Sequence, residues 1–512
     1  MTENRIPAVG IDLGTTFSAL AHLDETGRPA TIVNAEGELT TPSVVLFDGP
    51  DVVVGKEAMK AMATEAARVA DGAKREMGKE FYSKSLDGRQ YPPEVIQAYI
   101  LKKVTEDARR QLGDFRHAVV TVPAYFDEVR RKATQDAGYM AGLEVMDIIN
   151  EPTAAAVAFG YQQGFLNAQG GASAPQTVLV YDLGGGTFDV TVMEIRGNEF
   201  VALATDGDVQ LGGRDWDFRL ADLAAEEFSR QHGLDPRQDA GAIGRLWREC
   251  EDAKRTLSAR SKATITCDYM GLAAKVEVTR ERFQELTHDL LDRTRFTTRQ
   301  TLKAAGLDWG QIDRVLLVGG SSRMPMVREM LRTLAGKEPD TSVSADEAVA
   351  HGAALRAGQL LAQNEGKPAR FSIQNVNSHS LGVVGTDSAT GRKRNAILIP
   401  RNTPLPASAT RVFKTQKTKQ ESVLVQIVEG EAASPDACTA IGQCVIRDLP
   451  PDLPAGSPVG VKFKYGTDGR LAVTVQVSPK GKPIRQEITR EHAFGRDDLD
   501  RWRNVLAGKA EG

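Results

Sequence analysis

Among 512 residues there are only four cysteines and seven histidines. Cys250, Cys267, Cys438 and Cys444 show no CxxC spacing and few histidines stand near them, which argues against structural zinc and for reduced thiols. Cys438 and Cys444 could pair across a hairpin, but nothing marks the chain for an oxidising compartment. The opening MTENRIPAVGIDL has no basic n-region, no long apolar h-region and no cleavage site, and no later apolar run reaches spanning length. A cytoplasmic address with no membrane partner is expected. The formal net charge of -4 lacks the basic excess that nucleic-acid binding calls for. No GxGxxG leads into a helix, which argues against a nicotinamide-binding fold.

What is present is an ordinary soluble composition, 41% hydrophobic and 26% charged, on a chain too long for one core, so three or more lobes are expected. One phrase is written twice: VGIDLGTTFSAL near the start and YDLGGGTFDVTV from Tyr181 to Val192. Glycine- and threonine-rich hairpin turns expose successive backbone N–H groups, and two such turns facing each other would clasp a phosphate tail. Asp12 and Asp182 would then lie beside phosphate, which requires a screening cation; Mg2+ suits because it keeps several waters. A single DLGTT turn reads equally well as a tight hairpin. The pair does not.

Two further elements read ambiguously when taken alone. LLVGGSSRMPMV, Leu316 to Val327, is a strand, a Gly-Gly turn and a helix start; it would let a flat base approach the backbone with Arg323 stacked on it, or it is plain packing. ECEDAKRTLS sets Glu251, Lys254, Arg255 and Ser258 on one helix face, which is also how a solvated charged face looks.

Along the chain, strands are expected from Val9 to Phe47, helices over Lys56–Ala70 and Pro93–Gln111, a strand at Ala118–Pro123, and a helix from Val129 back to a strand. The pattern then restarts with the second hairpin, a strand pair from Asn198, helices near Asp215, over Ala240–Leu257 and over Glu281–Ala305, and the strand VLLVGGSS. Two similar halves predict a duplicated α/β domain with a cleft between lobes. After Leu361 a polar connector leads into short alternating runs with turn signals, predicting a β-sandwich or barrel and then a brief helical tail.

Read in order, VGIDLGTT, VPAYF, INEPTAAAVAFG, VYDLGGGTFD, QLGGRDWD, ECEDAKRTLS, VLLVGGSSRMPMV and DEAVAHGAA resemble the nucleotide-binding domain of DnaK-type chaperones of the seventy-kilodalton heat-shock family. The resemblance implies an α/β actin-like ATPase, duplicated in two lobes over residues 1–362, an interdomain linker over 363–377, an all-β sandwich peptide-binding domain over 378–490, and a helical tail over 491–512. It implies an ATP-dependent chaperone binding ATP/ADP and Mg2+, with K+ as an accompanying ion, whose partners are unfolded or extended client polypeptides. The other readings are a regulatory or exchange-factor-like relative and a sugar or acid kinase of the same superfold; a kinase leaves the β domain without a role.

Position by position, the resemblance implies that Lys74, Glu151, Asp182 and Thr187 are catalytic and that Asp12, Asp182 and Asp189 are metal-proximal. It puts Gly14, Thr15, Thr16, Gly184, Gly185 and Gly186 at the phosphates. Gly212, Gly213, Glu251, Lys254, Arg255, Ser258, Gly319, Gly320, Ser321, Arg323 and Asp346 fall on the adenosine side. Pro123 and Arg131 match a relay that reports nucleotide state, and Val383, Phe413 and Val423 match positions lining a peptide groove.

Three departures stand out. REMGKEFYSKSLDGRQY after Lys74 is shorter than the family's β insertion, as in the HscC-like branch, which puts standard exchange partners in doubt. The connector reads RFSIQNVNSHSLG: Phe371, Ile373 and Val376 could dock on the ATPase, but Asn375 replaces an acidic residue and Asp147 a basic one, implying a dedicated J-domain cochaperone. The residues after Arg490 have room for roughly one helix, so the helical lid is expected to be absent and peptide exchange fast. Arg411, Lys414, Lys417 and Lys419 crowd the groove rim, favouring acidic or mixed clients, or forming a solvated charge run.

Overall fold

The computed structural model describes residues 7–166, 174–387, 390–447, 449, 453–467, 469–477, 484–486 and 494–509. Of the turn signals expected in the β domain, the segment SPKGKP lies outside them, as does the boundary expected at residues 490–491.

Two sheets carry the repeated phrase. In the first, Val9–Asp12 pairs antiparallel with Phe17–Leu23 and parallel with His117–Val122, which pairs with Glu144–Asn150. In the second, Gln176–Leu183 pairs antiparallel with Phe188–Arg196 and parallel with Arg314–Val318, so hairpin plus parallel neighbour recurs. The central strands are apolar runs buried on both faces, as sheets covered by helices require. Helices Glu151–Gln162 and Ala348–Asn364 cross between the sheets on small residues, close enough that a Cβ on Gly352 would lie 1.8 Å from Ala154 O.

Several expected boundaries move. The helix foreseen over Lys56–Ala70 stops at Ala61, and Val69–Asp71 forms a strand on Val44–Asp48, because sheet pairing outweighs alanine-rich composition. The strand pair foreseen from Asn198 is one ten-residue strand, Glu199–Asp208. The helix foreseen over Glu281–Ala305 breaks at Thr287, whose hydroxyl donates to Phe283 O and caps Arg280–Leu286 before His288–Ala304 begins.

The connector is a strand. Ser372–Gln374 adds in parallel to Glu199–Asp208, in the register Phe200↔Ile373, while Phe371 and Val376 are buried and Ile373 packs beside them. Beyond it, two four-stranded antiparallel sheets enclose an apolar core of their own. The final helix, Arg496–Leu506, packs on the first α/β unit: Leu499 and Leu506 enter its core, and Lys102 Nζ donates to Leu506 O at 2.6 Å.

Candidate functional site

The two glycine hairpins face each other across a cavity of about 570 Å³. Its floor is made by Asp12, Gly14, Thr15 and Thr16 from one turn and Asp182, Gly184, Gly185 and Thr187 from the other. The glycines of the second turn are needed for proximity: a Cβ on Gly185 would lie 1.8 Å from Thr16 Oγ1, and one on Gly186 2.3 Å from Thr15 Cγ2. Neither has a positive φ.

Lys74 and Glu151 stand at one end, with Nζ 2.5 Å from Oε1 and both side chains buried. Thr121 donates to Asp12 Oδ1 at 3.1 Å. Four carboxyls, those of Asp12, Asp182, Asp189 and Glu151, share this region with one lysine. Burial first, and then the Glu151 charge, push Asp12 up to about 7 and Asp189 to about 8, and hold Asp182 well above the usual carboxylate range.

Among the described residues no three His, Cys, Asp or Glu side chains form a direct metal-ligand set. Two cavity-lining carboxyls that resist ionisation, beside a buried Thr16 hydroxyl with no partner, nevertheless fit a divalent cation that keeps most of its own waters.

The other end is lined by Glu251, Lys254, Arg255 and Ser258 from helix Ala240–Ala259, and by Gly319, Gly320, Ser321, Arg323 and Asp346. Arg323 pairs with Asp346 at 2.5 Å, Arg255 with Glu251 at 2.7 Å, and Lys254 with Asp217 at 2.8 Å. Met59, Met62, Phe218 and Trp247 supply apolar walls that the motifs did not single out.

Four of the expected cavity residues sit behind the wall. Gly186 packs on Thr15 and Gly212, and Gly213 O accepts from Lys254 Nζ at 3.0 Å. Asp189, expected near the metal, is tied to the first unit, accepting from the N–H groups of Ala124 and Tyr125 at 3.2 and 3.0 Å.

That tie leads outward. Pro123 opens the turn that holds these amides, and Arg131 donates to Ala124 O, Phe126 O and Asn150 Oδ1. The same turn meets the β domain. His379 packs against Tyr125 with the rings tilted and their centres 4.1 Å apart and donates to Tyr125 O, Glu429 accepts from Glu128 N, and Arg401 pairs with Asp206 at 3.0 Å.

The three groove residues separate. Val383 is buried between the sheets, because strand alternation turns it inward opposite Ile427. Phe413 and Val423 are half-buried, and Arg411 lies over the Phe413 ring. Arg411, Lys414, Lys417 and Lys419 are all exposed. Asn375 accepts from Thr153 and Asp147 pairs with Arg356 at 2.8 Å, so each altered position has a partner of its own.

Sequence reading missed the residues that bridge the hairpins from outside: Arg75 donates to Gly186 O at 2.6 Å and pairs with Asp215 at 2.5 Å, and Arg214 pairs with Asp71 at 2.6 Å. The only available signal was the Arg-Asp step inside QLGGRDWD.

A family model described as Hsp70 protein matches residues 8–509. The chain is 39% identical to Chaperone protein DnaK of Thermotoga neapolitana over 512 residues, covering 98% of this chain and 83% of the relative. The identity to Chaperone protein DnaK is also 39% for Halobacterium salinarum, covering 96% and 76%, and for Thermus thermophilus, covering 96% and 82%. Relatives that are each named a chaperone do not favour a regulatory or exchange-factor-like role. With a nucleotide-sized cleft between paired glycine hairpins and a β domain joined to it by a docked connector, the chain belongs to the Hsp70 family and is an ATP-hydrolysing molecular chaperone.

Proposed function

We propose that the cleft is that of a two-lobed, actin-like ATPase in which Mg-ATP is held by both hairpins, and that Lys74 and Glu151 orient water against the terminal phosphate. Phosphoryl transfer to water asks mainly for positioning and charge stabilisation, and the buried Lys74–Glu151 pair supports that role. Mg2+ would rest through its waters on Asp12 and Asp182 and stabilise charge on the phosphate; K+ is a compatible second ion. Asp189 would act through the Ala124–Tyr125 turn, holding the cleft wall in the place that the β domain also touches.

The observation that carries the coupling is the connector strand. A segment paired to Glu199–Asp208 keeps the β domain against the ATPase, and its release would free that domain, so nucleotide state and peptide access become linked by a population shift. The β domain would take extended client segments by main-chain pairing and apolar contact. The exposed basic residues Arg411, Lys414, Lys417 and Lys419 around Phe413 and Val423 favour acidic or mixed segments. We further assign a dedicated J-domain cochaperone, supported by Asn375 and Asp147, and a cytoplasmic setting.

ATP turnover with and without acidic-apolar and basic-apolar peptides tests the reading. Stimulation by the first set is expected, and no stimulation by any peptide at normal basal turnover counts against it. Equal stimulation by a generic J-domain and a cognate one would remove the cochaperone assignment.

A further inference from the structure

Arg214 is in the wrong place for its own helix. It is the second residue of Gly213–His232, where the positive end of the helix dipole disfavours a cation. Its guanidinium reaches across the cleft to Asp71 as an ion pair, with Nη1 2.6 Å from Oδ2. It also covers the Trp247 ring, 5.7 Å from the centroid, and lies 3.3 Å from where a Cβ on Gly72 would stand. The next residue, Asp215, takes both terminal nitrogens of Arg75, at 2.5 and 3.2 Å, while its Oδ2 also accepts from Gly212 N. Arg75 Nε reaches Gly186 O.

Two neighbouring residues of the second unit thus pair, with charges swapped, to two residues of the first unit that flank Lys74. One rung precedes Lys74 by three positions and the other follows it directly. All four side chains are at most 22% exposed, so these pairs are screened less than surface ones.

We propose that Asp71–Arg214 and Arg75–Asp215 form a clasp that seats Lys74 in its working position only when the cleft is shut, making all four positioning residues for hydrolysis. The inference rests on the reading of Lys74 as the hydrolytic lysine. Opening the cleft breaks both rungs together, releasing the Ala73–Glu76 turn and withdrawing the ammonium from the phosphate site. The same clasp retards nucleotide escape, since each rung must part first.

The test is single-turnover hydrolysis at saturating Mg-ATP together with the rate of ADP release. Arg214→Gln is expected to slow hydrolysis by about tenfold and speed release by at least about fivefold. The charge swap of Asp71→Arg with Arg214→Asp is expected to return both to within about threefold of the parent. A purely structural role would instead lower the nucleotide-free melting temperature and leave the rate per folded molecule unchanged. Should Arg214→Gln fold poorly, Arg214→Lys with Asp71→Asn carries the same comparison. Parental rates in the single variants, or a swap no better than either, overturn the clasp. Lys74→Ala in the same assay separates the two readings: if hydrolysis survives it, the role of Lys74 falls and takes the clasp with it, whereas loss in Lys74→Ala beside a parental rate in Arg214→Gln overturns the clasp alone.

Discussion

Lys74 Nζ lies 2.5 Å from Glu151 Oε1, the two approaching from segments 77 residues apart and both nearly sealed from solvent. A buried pair contributes little net stability while intact, but it is costly to halve, because the survivor is left as an unpaired charge. Glu151→Gln, which keeps shape and removes charge, should lower single-turnover hydrolysis by about 10²-fold or more. Glu151→Ala should add a loss of about 3–5 kcal/mol in unfolding free energy. Stopped-flow phosphate release and denaturant melts measure the two effects, and a parental hydrolysis rate in Glu151→Gln would remove the pair from the mechanism.

The acidic floor of the cleft predicts opposite pH trends for stability and for binding. Asp12 is raised to about 7 and Asp189 to about 8, by burial above all. A carboxyl raised on folding contributes stability that is full below its unfolded value near 4 and is lost as pH rises through the folded one. The nucleotide-free protein should therefore melt progressively lower between about pH 4 and pH 8. Mg-nucleotide wants the floor carboxyl Asp12 ionised, so its affinity should climb from about pH 6 and level off above about pH 8. Asp12→Asn should flatten both curves, raising nucleotide-free stability at pH 8 by about 1–2 kcal/mol while weakening Mg-ATP binding. Scanning calorimetry and isothermal titration across pH check the pair of trends.

Close approach, not backbone freedom, is what makes Gly185 and Gly186 glycines, so the damage from Gly185→Ala should fall on cleft closure rather than on folding. A methyl there meets Thr16 Oγ1 at 1.8 Å and must push the hairpins apart. ATP affinity is expected to drop by about 10²-fold with little change in the nucleotide-free melt. Trimming the obstacle by Gly186→Ala with Thr15→Gly should recover more affinity than Gly186→Ala alone, since the Gly186 methyl would meet Thr15.

Much of this was legible in the chain because local and global demands agree there. The doubled Asp-Leu-Gly phrase reports hairpins that pair in register and turn their loops toward one another, and DEAVAHGAA reports a helix crossing that tolerates no Cβ at Gly352. What stayed hidden depends on partners distant in sequence. Val69–Asp71 is a strand only because Val44–Asp48 is beside it. Val383 turns inward only because of the sheet it joins, and Asp189 serves a turn 65 residues earlier. Arg75 stands in no motif and Arg214 only as the Arg-Asp step of QLGGRDWD, which does not say what it pairs with; only the closed cleft makes them neighbours of Asp215 and Asp71.

The connector supplies the last prediction. Phe371 is 3% exposed and meets Phe200 edge-on at 5.9 Å, while Ile373 sits in the three-residue parallel pairing with Glu199–Asp208. So short a strand cannot hold on backbone bonds alone; the buried phenyl ring is its anchor. Phe371→Ala should cost about 3 kcal/mol or more at this contact, enough to turn a docked majority into an undocked one. Ile373→Asp should act in the same direction by setting a charge in an apolar seam. In either variant, amide exchange should rise across residues 372–374 and at Glu199–Asp208 together, because each strand protects the other. Protection should also fall at the Glu128 amide, which donates to Glu429 of the β domain, while Tyr125, whose amide is held by Asp189, and the cleft hairpins keep theirs. ATP should then bind with near-parental affinity but no longer change peptide release. Retained coupling in Phe371→Ala, with residues 372–374 freely exchanging, would mean that the β domain is held by the Tyr125 face and not by the connector.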